Sequence, residues 1–181
     1  IIITLDGKVQ ASGDNKNFQI SRSLPNSNLI KYTEFDIINN EGHQMYPISA
    51  VCGGNFTLYM VSLTKDCDER FILYSYEGIE NQFPLFLKIG KFNPMSLFWG
   101  FTNAAVIGKD GSIIFIPKTV RKCPEKQLEP IFVPDNNKAV YLACCGRYIF
   151  SVGLSGRVFE YDLTEIKNDK LCFTEVKSLI N

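Results

Sequence analysis

The stretch from Gly100 to Phe115 constrains this chain more than any other. It opens on a glycine, runs into the apolar strand Ala104-Ala105-Val106-Ile107, turns at Asp110-Gly111, and returns as Ile113-Ile114-Phe115. Asp-Gly between apolar runs predicts a tight hairpin of type I′, in which both central residues take positive φ. The pattern returns from Gly146 to Phe159, with Ser155-Gly156 at the turn. The two opening glycines are 46 residues apart and the two turn glycines 45 apart.

A second position carries the same period. Thr33-Glu34-Phe35 and Thr174-Glu175-Val176 occupy one outer-strand slot, 141 residues apart, which is three periods of 47. A period seen in both hairpins and outer strands marks a repeat architecture. Each period has room for about four short strands, the content of one propeller blade. A sheet that small cannot bury its own faces, so the copies must stack as a ring or a solenoid. The blade units are expected at about 1–46, 47–92, 93–137 and 138–181, within one partial β-propeller domain over 1–181.

Read in order, Leu5-Asp6-Gly7 is a turn after a first strand, and Gly13 to Ser21 is a polar loop. Residues 22–31 read as loop, and Tyr32 to Ile37 as an alternating edge strand. Asn39-Asn40-Glu41-Gly42 is another turn. Phe56 to Val61 and Phe71 to Tyr76 are strands joined by the charged connection Thr64 to Arg70. Pro84 to Ile89, Ile131-Phe132-Val133 and Phe173 to Val176 read as outer strands. Asp162 to Lys170 is a polar loop with room for a helical turn. The chain starts at Ile1 within an apolar run and stops on a beginning strand, so it reads as a piece of a longer protein.

These residues resemble the regulator of chromosome condensation repeat. The first unit matches at Asp6-Gly7-Lys8-Val9, Gly13-Asp14-Asn15 and Gln19-Ile20-Ser21; the second at Gly53-Gly54-Asn55-Phe56-Thr57-Leu58; the third at Gly100 and Asp110-Gly111-Ser112-Ile113; the fourth at Gly146 and Ser155-Gly156-Arg157-Val158. The sequence departs from the family where Ser12 replaces the usual aromatic, where the second unit has no Asp-Gly turn, and in the loops after units three and four. The resemblance implies an all-β, seven-bladed propeller of which about three and a half four-stranded blades are present. Trp99 is the one tryptophan, so Trp-Asp repeats do not fit, and a single Gly-Gly pair does not support a kelch array.

Composition narrows function less than fold. Lys+Arg and Asp+Glu are both 19, a formal net charge of zero, which argues against a nucleic-acid partner. The six cysteines, Cys52, Cys67, Cys123, Cys144, Cys145 and Cys172, contain no C-x-x-C pair, and read as thiols of a reducing, intracellular compartment. No apolar run approaches the about 20 residues that cross a bilayer. Catalytic motifs are missing: Gly153-Leu154-Ser155-Gly156 is too short for a nucleophile elbow, so Ser155 reads as a turn residue. The lone His43 lies in a polar turn, and Asp66-Cys67-Asp68-Glu69 reads as a solvated tip without calcium-loop spacing. Asn55-Phe56-Thr57 is a sequon at a buried strand entry. No catalytic residue, cofactor, metal or small-molecule substrate is assigned.

Seven glycines are expected to serve as structural turn residues: Gly7, Gly13, Gly53, Gly100, Gly111, Gly146 and Gly156. The basic residues Lys118, Arg121 and Lys122 form a candidate partner-contact loop, alongside the loop 62–70. The expected function is a non-catalytic protein–protein interaction scaffold, with protein partners met by loops. The family resemblance implies an alternative, guanine-nucleotide exchange on a small GTPase. A third reading is a structural subunit of a cytoskeletal, microtubule-associated or other large assembly.

Overall fold

In the computed structural model, the described residues are 1–16, 18–21, 23–39, 41–53, 56–76, 85–86, 92–100, 104–116, 128–162 and 173–177. All fourteen described strands pair antiparallel with their neighbours in sequence. The chain divides into two units, Ile1–Lys88 and Ile89–Asn181.

Unit 1 holds two sheets. The first is β1 (Ile2–Ile3), β2 (Val9–Asp14) and β3 (Asn28–Phe35). The second is β4 (Tyr46–Cys52), β5 (Phe56–Ser62), β6 (Phe71–Tyr76) and β7 (Leu85–Phe86). Every residue of β5 is buried, which requires cover on both faces and explains its near-continuous apolar run. Val9 and Ala11 of β2 and Leu29 and Phe35 of β3 pack with Tyr59, Val61 and Leu73 of the second sheet. Ile20 and Leu24, from the β2–β3 loop, complete this core. Phe35 meets Tyr59 edge-on at 6.4 Å between ring centroids. Each such side chain contributes about 1.5–3 kcal/mol through burial.

Unit 2 repeats the plan. β8 (Pro94–Trp99), β9 (Ala104–Gly108) and β10 (Ile113–Ile116) form one sheet, and Ile131 adds a single bridge to Ile113. β11 (Ala139–Cys145), β12 (Tyr148–Gly153), β13 (Val158–Asp162) and β14 (Thr174–Glu175) form the other. Ala105, Ile107 and Ile113 pack with Leu142, Ile149, Phe159 and Tyr161, and with Phe173 just before β14.

A marker of the repeat lies in the opening strands. The pairing register slips between Pro47 and Ser49 in β4, between Pro94 and Ser96 in β8, and between Ala139 and Tyr141 in β11. Each slip is a β-bulge with one extra residue, at Ile48, Met95 and Val140. The bulges recur at spacings of 47 and 45 residues. Two of them carry proline, which has no N–H to donate and is tolerated where a ladder is already interrupted.

Three expectations need correcting. β3 begins at Asn28, so the last four residues of the segment expected as loop over 22–31 are strand. Ile131-Phe132-Val133 is not a strand; only Ile131 bridges, while Phe132 is 62% exposed. The hairpin turns are not type I′, as described next. The helical turn expected over 162–170 lies, beyond Asp162, outside the described residues.

Candidate interaction surface

Among the described residues, one turn is built four times. At Gly108–Ser112, the Gly111 N–H donates to the Gly108 carbonyl at 2.9 Å and the Gly108 N–H to the Ser112 carbonyl at 2.9 Å. Thr4–Lys8, Asn39–His43 and Gly153–Arg157 make the same two bonds, at 2.9–3.0 Å. In each, the fourth residue is glycine, with φ of 81–83° at Gly7, Gly42, Gly111 and Gly156. The preceding Asp6, Glu41, Asp110 and Ser155 are not left-handed. This is a type I turn closed by a glycine bulge, a three-residue link that needs one positive φ where type I′ needs two. Asp before glycine therefore serves by its side chain: Asp110 Oδ1 accepts from the Ser112 N–H at 3.0 Å and hydroxyl at 2.5 Å. Burial opposes its ionisation, but the Ser112 bonds prevail and hold the Asp110 carboxyl below its ordinary value. Asp6 is lowered chiefly by the hydrogen bond from Thr4 Oγ1.

The remaining glycines divide by cause. Gly146, at φ 55°, opens the two-residue link between β11 and β12, where its positive φ fits a type II′ turn. Gly13, at φ 123°, sits in β2 beside a bulge. Gly53 and Gly100 are not left-handed; space limits them. A Cβ on Gly53 would stand 2.1 Å from Phe56 Cε1, and one on Gly100 3.1 Å from Cys144 Cβ.

Asn15, the Asn of Gly13-Asp14-Asn15, is fully buried and organises the β2–β3 loop. Its Nδ2 donates to the carbonyls of Ser21 at 2.9 Å and Pro25 at 3.0 Å, and its Oδ1 accepts from the N–H groups of Ile20 at 3.0 Å and Ser21 at 3.1 Å. Tyr59 Oη donates to the Ile20 carbonyl at 2.7 Å, fixing the same loop to β5. Burial pushes the Tyr59 phenol well above its ordinary pKa.

The turn tips carry apolar side chains where turns are ordinarily polar. Leu5 is 99% exposed, Leu154 73% and Leu63, just after β5, 50%. In unit 1 these tips border a groove of about 430 Å³ lined by Asp6, Lys8, Glu34, Asp36, Tyr46 and Leu63 among others. Lys8 Nζ pairs with Glu34 at 3.2 Å, and Asp36 Oδ1 accepts from Gln44 Nε2 at 2.9 Å. In unit 2 the equivalent pocket, about 500 Å³, is lined by residues 135–138 with Leu154, Ser155 and Arg157. Asp135 and Asn136 both take left-handed φ, 60° and 55°. Such residues cost about 1–3 kcal/mol each and persist only where neighbours hold them. Arg157 Nη1 donates to Asp135 at 2.8 Å, and Asn137 Nδ2 donates to Ser155 Oγ at 2.7 Å. Arg157 also grips Glu175 of β14 through Nε at 2.7 Å and Nη2 at 2.6 Å. Lys8–Glu34 and Arg157–Glu175 are the same clasp, a cation after the turn glycine and the Glu of the outer-strand slot.

Formal neutrality hides an asymmetry: residues 1–88 carry seven Lys/Arg against ten Asp/Glu, and residues 89–181 twelve against nine. His43 is exposed beside Glu41, at 3.5 Å. Among the described residues no three His, Cys, Asp or Glu gather as metal ligands, and no helix is long and apolar enough to cross a membrane. Lys118, Arg121, Lys122 and the sequon Asn55 lie outside the described residues.

No family model matches this sequence, and no curated protein matches it. Solved structures do. Prp20p of Saccharomyces cerevisiae superposes with a TM-score of 0.65 at 12% identity, over 99% of this chain and 48% of its own. The yeast regulator of chromosome condensation Prp20, solved bound to Kap60, gives 0.57 at 16% identity, over 87% and 40%. Human WBSCR16 gives 0.56 at 12%, over 86% and 45%. The chain spans less than half the length of each. Its fold is therefore that of the regulator of chromosome condensation repeat, an all-β arrangement of small antiparallel sheets corresponding to part of a β-propeller.

Proposed function

We propose that this chain is a protein-binding scaffold whose contacts are made by the tips of its repeated turns. One observation carries the reading: Leu5, Leu63 and Leu154 are exposed at the ends of well-bonded hairpins and connections, where burial gains nothing for the fold. Apolar side chains left in water on hydrogen-bonded turns favour a partner surface, because the backbone that carries them loses little conformational freedom when they are covered. The fold neighbours support it, since Prp20 was solved bound to Kap60 and Prp20p is described by its binding to Gsp1p and histones. The exposed or part-exposed thiols Cys52, Cys67, Cys144 and Cys145 are unpaired, which suits a reducing, intracellular setting.

The test is affinity capture with the full chain against the triple variant Leu5→Asp, Leu63→Asp, Leu154→Asp. The expected result is a stable protein partner recovered by the parent and lost by the variant. Recovery of no protein by the parent refutes the reading. Nucleotide exchange on a small GTPase is the second reading, favoured by the Gsp1p binding of Prp20p. It predicts faster nucleotide release across a GTPase panel, and release at the intrinsic rate with every member removes it.

A further inference from the structure

The groove of unit 1 specifies the kind of partner, on the premise that the chain is a protein-binding scaffold. Its walls come from four separate segments: the turn at Asp6-Gly7-Lys8, the end of β3 with Asp36, Gln44 to Pro47 at the start of β4, and the residues Leu63-Thr64 after β5. Within it, Lys8 is neutralised by Glu34 at 3.2 Å. Asp6 and Asp36 also line it, and no lining residue is basic except that paired lysine. The lining thus holds three carboxylates, Asp6, Glu34 and Asp36, against one cation, Lys8. The field of this end is therefore negative, in keeping with the acidic excess of residues 1–88. Leu5 and Leu63 supply the apolar component, and neither is covered by another side chain of the fold to a degree that explains it, at 99% and 50% exposed.

Two features therefore coincide: a groove of net negative lining and two exposed leucines, Leu63 in that lining and Leu5 next to Asp6. We infer that this groove docks a lysine- or arginine-bearing segment of a partner protein, its cations over Asp6 and Asp36 and an apolar side chain against Leu5 and Leu63. Phosphate-bearing partners, nucleic acid and anionic lipid alike, are repelled by the same lining. Complementary charge would set the rate and register of docking, and the leucines its persistence.

A short labelled peptide alternating lysine and leucine serves as the probe, titrated by fluorescence anisotropy against the full chain. A glutamate–leucine peptide and a serine–leucine peptide are the controls. The lysine peptide is expected to bind roughly tenfold or more tightly than either control, an advantage that shrinks as salt rises from about 50 to about 300 mM. Asp36→Asn and Leu63→Asp should each weaken it several-fold, while Leu154→Asp, in the corresponding turn of unit 2, should not. Leu5→Asp alters a fully exposed tip, so its effect reads binding without a folding contribution. Equal binding of all three peptides overturns the charge argument. Binding that survives both Leu5→Asp and Leu63→Asp overturns the site. Either result leaves the scaffold reading standing if the parent chain still captures a protein partner; failure of that capture sinks the scaffold reading separately.

Discussion

Replacing Asn15 tests whether one buried amide holds the β2–β3 loop. Asn15→Ala removes four hydrogen bonds at 2.9–3.1 Å at once. Pro25 is exposed, so its carbonyl can take water instead. Ile20 and Ser21 are each 7% exposed, which leaves two N–H groups and one carbonyl stranded in a dry place. A buried polar group without a partner costs about 1–3 kcal/mol, so three such groups, in the lower half of that range, sum to about 3–6 kcal/mol. That is a large fraction of the 5–15 kcal/mol available to a typical domain. Asn15→Asp dissects the amide further. It keeps the acceptor facing Ile20 and Ser21 but turns a second oxygen toward the Ser21 and Pro25 carbonyls. That repulsion raises the folded-state pKa of the new carboxyl. Its destabilisation is thus full at neutral pH and eases as pH falls through that raised value, where protonation restores one donor. Urea unfolding by far-UV circular dichroism gives the energies, and amide exchange at Ile20 and Ser21 locates them. A cost below about 1 kcal/mol for Asn15→Ala, or unchanged exchange at Ser21, refutes the reasoning.

Three further outcomes follow from the geometry. Gly156→Ala should cost about 1–2 kcal/mol for placing a side chain at left-handed φ, since nothing lies within 4 Å of its Cβ position, whereas Gly111→Ala should cost more because its Cβ would meet Lys138 Cβ at 2.4 Å and Cα at 2.8 Å; paired thermal melts decide, equal losses contradict the steric contact with Lys138, and no loss at Gly156 contradicts the turn assignment. Glu175 is held below its ordinary 4.5 first by the hydrogen bonds from Arg157, so its contribution is present above that ordinary value and lost as pH falls through the lowered folded one; the gap in Tm between parent and Glu175→Gln should close on acidification, and a gap that widens reverses the sign. Burial pushes the Cys144 thiol up to about 11 while Cys145 is exposed, so iodoacetamide near pH 8 should label Cys145 well before Cys144 in a peptide digest.

Much of the repeat was legible because periodicity records packing directly. The slot shared by Thr33-Glu34 and Thr174-Glu175 is physical: Glu34 sits opposite Gln10 and Glu175 opposite Phe159, each two residues past a cation that follows a turn glycine. The turn type was misread because Asp-Gly fits two turns, which are told apart by the hydrogen bond from Gly108 N–H to the Ser112 carbonyl and by the φ of Asp110, neither of which the sequence shows. The copy at Asn39–His43 was readable as a turn but not as the same turn; glycine in its fourth position was the one signal. The bulges had a signal too, in Pro47 and Pro94, spaced by one period. Segment 131–133 looked like a strand because Ile-Phe-Val favours extended backbone, yet a propensity without a partner forms one bridge and no ladder. The groove of unit 1 was illegible, since it joins residues 6, 36 and 63, which no local pattern links.

In the shared turn, backbone bonds and one glycine define the shape, and the residue two before the glycine plays no part in either. At Leu5 and Leu154 that side chain is spent on neither the core nor the turn. Mutation there changes the surface the molecule presents without changing how it folds. On the scaffold reading, partner choice can change at these tips while the sheets beneath stay constant, and the same positions are where a foreign recognition residue could be grafted at least cost in stability.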